Sequence, residues 1–330
     1  MTMAVQQTTF TTVRQGDQMA LGGALEVILP LRYAGARSVS IGYEIVGPAR
    51  APVLIVAGGI SAGRHVISSD EFAESGWWEC QKTALSAARI LAIDWIGSDG
   101  ALDCPIDPTD QALAIAAVLD ALGIVRAAGF AGASYGAMVG LHFAVLFPHR
   151  CEQLLAISAS ERAHPFSSAC RSLQRKAIAL GERADDPAAG VALARALAML
   201  TYRTADEYRQ RFDAAPSVEG LSVRVSAEDY LDFQGARSAA RTSAVAYRRL
   251  SESIDLHQME ASQLNLPCIF VAVESDWLVP MEDIRALADH VPQARFIVLP
   301  SLFGHDAFLK EQDQVSAILT EFIASLESAQ

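Results

Sequence analysis

Cysteine is scarce and unpatterned in this 330-residue chain: Cys80, Cys104, Cys151, Cys170 and Cys268 are odd in number and scattered. None forms a CxxC pair, so neither a zinc spacing nor a disulfide framework is legible, and a reducing cytoplasm is the expected compartment. No run of 18 apolar residues occurs, so neither a transmembrane helix nor a membrane partner is expected. The opening MTMAVQQTTFTTVRQ has no apolar core of the kind a signal peptide carries. Repeats of 20–50 residues and low-complexity tracts are also missing, which excludes solenoids and linker arrays. Basic residues are outnumbered, 26 Lys+Arg against 38 Asp+Glu, for a net charge of −12. That balance argues against a nucleic-acid partner held by overall charge.

What is present is a core-forming chain, 51% hydrophobic and 19% charged, long enough for one large α/β domain with an insertion. The charge is uneven. Residues 160–250 carry 14 Lys/Arg against 11 Asp/Glu, and the remainder carries 12 against 27.

Short β-branched runs alternate with helical patterns. Ser38–Val46, Val53–Ala57, Ile90–Ile93, Ala127–Ala131 and Leu154–Ser158 read as strands. Thr109–Leu122, with Thr109 as N-cap and Gly123 as stop, and Tyr135–Phe147, ending before Pro148, read as helices. This βαβ rhythm predicts a mostly parallel sheet covered by helices. From Glu161 to about Leu250 the period is helical, with a strand run only at Leu221–Val225. The β pattern resumes at Cys268–Val273 and Arg295–Leu299, with helices at Met281–His290 and Gln312–Ser328. A helical block between two stretches of one sheet predicts a lid on an α/β core. The boundaries are 1–159 for the first part of the core, 160–250 for the lid and 251–330 for the second part.

Gly132-Ala133-Ser134-Tyr135-Gly136 spells G-x-S-x-G between a predicted strand and a predicted helix. That is the context of a nucleophile elbow, where small neighbours let strand and helix approach and lift the serine oxygen clear of the sheet. A serine needs a base, and the base needs an orienting acid. In this architecture they follow in the order serine, acid, histidine. His257, His290 and His305 lie downstream of the lid, and His305 alone sits just after the last predicted strand. Asp276 follows strand Cys268–Val273, with Glu274 the nearest competitor. The expected catalytic set is Ser134, Asp276 and His305. Its oxyanion hole needs two backbone N–H groups. Tyr135 supplies one, and the loop Gly58-Gly59-Ile60-Ser61 the other, with Ile60 first choice and Gly59 second. The same loop does not spell G-x-G-x-x-G, so a dinucleotide is not expected. No metal-ligand spacing is found.

These residues resemble the homoserine O-acyltransferases of methionine biosynthesis, which have the α/β-hydrolase fold. The likeness is carried by Gly59-Ile60-Ser61 with His65, by Gly76-Trp77-Trp78, by Gly132 through Met138, and by Gly304-His305-Asp306-Ala307-Phe308-Leu309. It touches the lid at Leu193-Ala194-Arg195 and Leu200-Thr201-Tyr202. The resemblance implies a ping-pong transfer with acyl-CoA as co-substrate and no tightly bound cofactor or metal. It also implies a homodimer formed through the lid. It assigns the amino-acid substrate to Arg195, Tyr202 and Asp306, where a guanidinium meets the α-carboxylate and a carboxylate the α-ammonium. The chain departs from the family in its shorter length, in the segment Gly97–Pro105, and in Arg64 beside His65. Arg64 is either a selector of the acyl group, since a succinyl carboxylate needs a cation, or an outward-facing arginine. Acetyl and succinyl donors both stay open.

Three other activities use parts of the same pattern. Serine or another hydroxy amino acid can replace homoserine. Water can be the acceptor, giving an esterase or thioesterase. A binding protein can keep the scaffold without catalysis. A cluster of lid cations, Arg171, Arg175 and Lys176 with Arg162 and Arg183 nearby, suits either CoA phosphates or a solvated helix face.

Overall fold

The computed structural model describes residues 5–15 and 18–327. Nine strands form one sheet: β1 (Val5–Gln15), β2 (Gln18–Leu31), β3 (Gly35–Pro48), β4 (Val53–Ala57), β5 (Arg89–Ile93), β6 (Gly129–Ala133), β7 (Leu154–Ile157), β10 (Cys268–Val273) and β11 (Ala294–Leu299). Their spatial order is β1-β2-β3-β5-β4-β6-β7-β10-β11. Pairing is antiparallel from β1 to β5 and parallel from β5 to β11. The parallel part explains the continuous apolar runs. Leu54 and Val56 of β4 enter the core on one face of the sheet, Ile55 and Ala57 the core on the other. A strand buried on both sides has no use for polar alternation.

Helices cover both faces. Helix α1 (Lys82–Leu85), the short α10 (Ala307–Lys310) and the C-terminal α11 (Gln312–Glu327) lie on one face. On the other lie α2 (Pro108–Ala121), α3 (Tyr135–Leu146) and α9 (Met281–Asp289). Helix α3 is buried through its first ten residues, Tyr135 to Ala144, as expected of a helix that is apolar all round. Between β7 and β10 the chain leaves the sheet and builds the lid. It consists of α4 (Pro165–Arg183), α5 (Pro187–Tyr202), α6 (Ala205–Arg211), α7 (Glu228–Ala239) and α8 (Ala244–Asp255). Helix α8 runs past residue 250 and rejoins the core.

Several expectations change. The N-cap of α2 is Asp107, not Thr109. Asp107 accepts from Asp110 N at 3.1 Å, and Asp110 returns the bond to Asp107 N at 3.0 Å. Pro108 takes the first helical position, where its missing N–H costs nothing. The run Leu221–Val225 makes only an exposed hairpin, β8 (Ser217–Glu219) with β9 (Ser222–Arg224), apart from the main sheet. Strands β1 and β2 were not anticipated. The signal in β2 was present, since Leu25, Val27, Leu29 and Leu31 are buried and alternate with exposed Glu26, Ile28 and Pro30. The end of the last predicted helix, Ser328, and residues 1–4 of the first segment lie outside the described residues.

Two buried histidines tie α3 to the exit from the lid. His257 Nε2 donates to the Ser160 carbonyl at 2.7 Å. Its Nδ1 must then accept from His142 Nε2, 3.1 Å away, and His142 Nδ1 from the Thr109 hydroxyl, also at 3.1 Å. This chain of donors needs both rings neutral. Burial pushes His142 down to about 4 and His257 down to about 3. Well above pH 6.5 both rings are neutral in the folded and unfolded chain alike, and the stabilising contribution is complete. As pH falls from 6.5 towards 4 the unfolded chain takes up protons that the folded chain refuses. Stability then falls by up to ~1.4 kcal/mol per pH unit for each histidine. Urea midpoints measured across this range should decline less steeply in His142→Gln than in the parent, and an unchanged slope excludes the pair as the cause.

Candidate active site

Strand β6 ends at Ala133 and helix α3 begins at Tyr135, leaving Ser134 alone to turn the chain. Ser134 has φ +54° and ψ −120°, a backbone state that side-chain-bearing residues rarely adopt. The flanking glycines make the turn possible. A Cβ on Gly132 would lie 2.5 Å from Gly136 O, and one on Gly136 would lie 2.1 Å from Ala57 O. Both distances are far inside van der Waals contact. Gly136 N instead donates to Gly58 O at 2.8 Å, tying the head of α3 to the end of β4.

The turn places Ser134 Oγ 2.7 Å from His305 Nε2. His305 lies in the turn Gly304–Asp306 after β11, and its Nδ1 meets Asp276 Oδ2 at 2.6 Å. Asp276, buried after β10, keeps its carboxylate in place by accepting from Leu278 N and Val279 N at 2.9 and 3.2 Å. Burial lowers the pKa of His305, but the Asp276 carboxylate outweighs it and holds the imidazole above its ordinary value. A serine hydroxyl, an imidazole that can take its proton, and a carboxylate that stabilises the resulting imidazolium therefore stand in line. The competitors fall elsewhere. Glu274 is exposed, His290 donates to Ala286 O at the end of α9, and His257 belongs to the buried histidine pair.

Tyr135 N–H heads α3, where the first turn offers no intrahelical acceptor. Ile60 lies on the loop after β4, half-buried in the cavity wall, and its N–H has no acceptor among the described residues. Gly59 uses its carbonyl to bind Trp95 Nε1 at 3.1 Å.

Above Ser134 lies a cavity of about 590 Å³, floored by the loop after β4 and roofed by the lid. Arg195, Tyr202 and Asp306 all line it. The Arg195 guanidinium stands 5.3 Å over the Tyr202 ring, and that ring stacks on His305 at 6.0 Å. Arg195 makes no close ion pair among the described residues, although its charge reaches Asp306 and favours the ionised carboxylate. Asp306 is different: Arg203 Nε lies 2.9 Å from its Oδ2, and Arg203 Nη1 also meets Glu207 at 2.6 Å. Burial raises the Asp306 carboxyl, while Arg203 and His305 oppose it and favour the ionised form. Arg203 was missed by sequence reasoning. Its only signal was Glu207 four residues on, a helix-spaced ion pair.

Arg64 is a correction. It does not line the cavity. Its N–H and guanidinium are drawn to Asp94, at 2.9 and 3.5 Å, over the edge of β3. The cations that do face the cavity are Arg162, Arg171, Arg195, Arg237 and Arg241. Arg171 and Arg175 share Asp255, each at 2.7 Å, so these two brace α4 against α8. Lys176 and Arg183 are exposed and outside the cavity.

Residues 52–312 match the profile of the alpha/beta hydrolase fold family. The chain is 51% identical over 319 residues to a homoserine O-succinyltransferase of Xanthomonas campestris, covering 94% of this chain and 86% of that protein. It is 30% identical to a serine O-succinyltransferase of Litchfieldella anticariensis, covering 91% and 97%. In fold it resembles the crystal structure of a homoserine O-acetyltransferase from Bacillus anthracis, with a TM-score of 0.82, 17% identity, and 94% and 98% of the two chains covered.

Replacing Asp276 by Asn leaves the shape but removes the charge that keeps His305 basic. Reaction of Ser134 with an activated ester or a fluorophosphonate should slow by about 10⁴-fold with the fold intact by circular dichroism. A loss smaller than tenfold would show that Asp276 is not the orienting acid.

Proposed function

The chain belongs to the α/β-hydrolase family and to the O-acyltransferase branch represented by its 51% identical relative, and on that premise we propose that it transfers an acyl group, succinyl by preference, from CoA to the hydroxyl of L-homoserine. Ser134 Oγ attacks the thioester carbonyl as His305 Nε2 takes its proton. The oxyanion is held by Ile60 N–H and Tyr135 N–H, and the CoA thiolate leaves with the proton from His305. The homoserine hydroxyl then gives its proton to His305 and attacks the acyl-serine, and His305 passes that proton to Ser134 Oγ as it leaves, releasing O-acyl-homoserine and the Ser134 hydroxyl.

One observation carries this reading. Arg195, a cation with no close ion pair among the described residues, is stacked on a tyrosine that itself stacks on the base. An α-carboxylate bound there brings the amino acid up to His305, and Asp306, held by Arg203 through Oδ2, leaves Oδ1 for the ammonium. A plain esterase has no need of such a clamp. A succinyl donor is favoured by the relative named above and by a cavity wall rich in arginine. The similarity to a serine O-succinyltransferase keeps serine as the second acceptor. Unpaired cysteines at all five positions suit a reducing cytoplasm, and among the described residues no helix is long and apolar enough to cross a membrane.

Thiol release from succinyl-CoA and acetyl-CoA, each with homoserine, serine or no acceptor, tests the activity. Steady release with an acyl-homoserine product is expected, and full-rate release without any acceptor would sink the transferase reading. In Arg195→Ala the acceptor KM should rise roughly 10–100-fold, the worth of a charge-assisted pair, while the acylation burst persists. An unchanged acceptor KM removes Arg195 from its role.

We also propose a homodimer through the lid. Leu173 and Leu180 lie seven residues apart on α4, and Leu193 and Leu200 seven apart on α5, each about half exposed (47–57%). Such a spacing forms apolar stripes on adjacent helices, which a second copy would cover. Light scattering should give twice the 35.3 kDa chain mass for the parent and the chain mass for Leu173→Glu with Leu180→Glu. A monomeric parent excludes the interface.

A further inference from the structure

Of the four tryptophans, three donate their indole N–H to backbone carbonyls of the loops that carry the candidate catalytic groups. Trp77 Nε1 donates to Gly63 O at 3.1 Å, and Trp95 Nε1 to Gly59 O at 3.1 Å. These two bonds bracket Ile60, the proposed oxyanion donor. The Trp77 ring also fills the space beside Gly58, where a Cβ would lie 2.8 Å from the indole. Trp78 Nε1 donates to Phe308 O at 3.0 Å, three residues beyond His305. Trp77 and Trp78 are stacked on each other, with centroids 5.0 Å apart and planes 17° apart.

The segment that holds the pair is itself fixed. Trp77 N and Trp78 N donate to His65 O and Val66 O at 3.1 and 3.0 Å. Gly76 lets the two backbones close, since a Cβ there would lie 2.1 Å from Val66 O. The Glu79 carboxylate accepts from Ser68 N and Gly76 N at 2.6 and 3.1 Å. Trp78 has no exposed surface.

We propose that the stacked Trp77–Trp78 pair is a positioning device, holding the oxyanion loop and the histidine loop as one rigid body. The inference rests on the reading of Ser134 as nucleophile and Ile60 as oxyanion donor. An oxyanion donor acts only when it is aimed at the position the charge will occupy, and sub-ångström placement depends on the shell behind it. A loop closed by glycines cannot supply that rigidity alone. Trp77 supplies it on one side and Trp78 on the other, and the stack couples them.

The test uses Trp77→Phe, Trp78→Phe and the double variant, which keep an aromatic ring and delete the N–H. Single-turnover acylation by succinyl-CoA, acceptor KM and thermal midpoint are measured for each. Each single variant should slow acylation by about tenfold or more, with the acceptor KM within about twofold. The double variant should lose less than the product of the two, because coupled residues are not additive. Acylation within twofold of the parent in both single variants overturns the proposal. So does a loss that follows the thermal midpoint and disappears on cooling, the signature of packing alone. A parent that is not acylated by succinyl-CoA defeats the acyl-transfer reading instead. The rate of Ser134 labelling by a fluorophosphonate then decides the positioning role by the same criteria.

Discussion

The architecture depends on one close approach, that of the head of α3 to the end of β4. With no side chain on Gly136, the two backbones meet at a 2.8 Å hydrogen bond from its N–H to Gly58 O. That contact leaves Ser134 nowhere to turn except upward, at φ +54°. It lies where the strand order reverses direction, since the chain leaves β4 towards β5 on one side and β6 towards β7 on the other. Open parallel sheets offer a crevice at such a point. The acid and the base arrive from the ends of β10 and β11, so four loop ends converge on one serine.

The lid is less an attached cap than a continuation of the core. Helix α8 supplies Ser253, whose hydroxyl meets the buried Tyr135 hydroxyl at 2.6 Å, and Asp255, which holds Arg171 and Arg175. The histidine pair anchors the chain just beyond α8. These buried and half-buried polar links are directional, and each costs free energy if left half-made. They therefore fix how the roof sits over the floor, where apolar packing alone tolerates sliding. The mild basicity of residues 160–250 acquires a place: part of it braces α4 against α8, and part faces the cavity as Arg162, Arg195, Arg237 and Arg241.

Much of this was legible in the chain. Runs such as Val53–Ala57 and Cys268–Val273 mark central strands because burial on both faces forbids polar residues. G-x-S-x-G announces an elbow because only glycine tolerates the distances found there. Order along the chain then selected His305 over His257 and His290, and the structure places His305 within reach of Ser134. Local rules failed where two residues competed for one role. Asp107 caps α2 in place of Thr109 because it can exchange two hydrogen bonds with Asp110, leaving the Thr109 hydroxyl to His142. Strands β1 and β2 went unread although β2 alternates cleanly.

The sequence by itself determined the strand–helix rhythm, the helical insertion and the order of serine, acid and base, because each follows from local sterics and from which residues water rejects. Only the tertiary structure decided where the charges act. Arg64 stands beside the oxyanion loop in sequence but is captured by Asp94, while Arg203, marked in the chain only by Glu207 four residues on, reaches Asp306 across the fold. An ion pair is set by distance in three dimensions, and spacing along the chain says little about it unless both partners share one helix. The tryptophan pair belongs to the same class: its string was readable, but which carbonyls it holds depends on two loops 230 residues apart in the chain meeting at one stack.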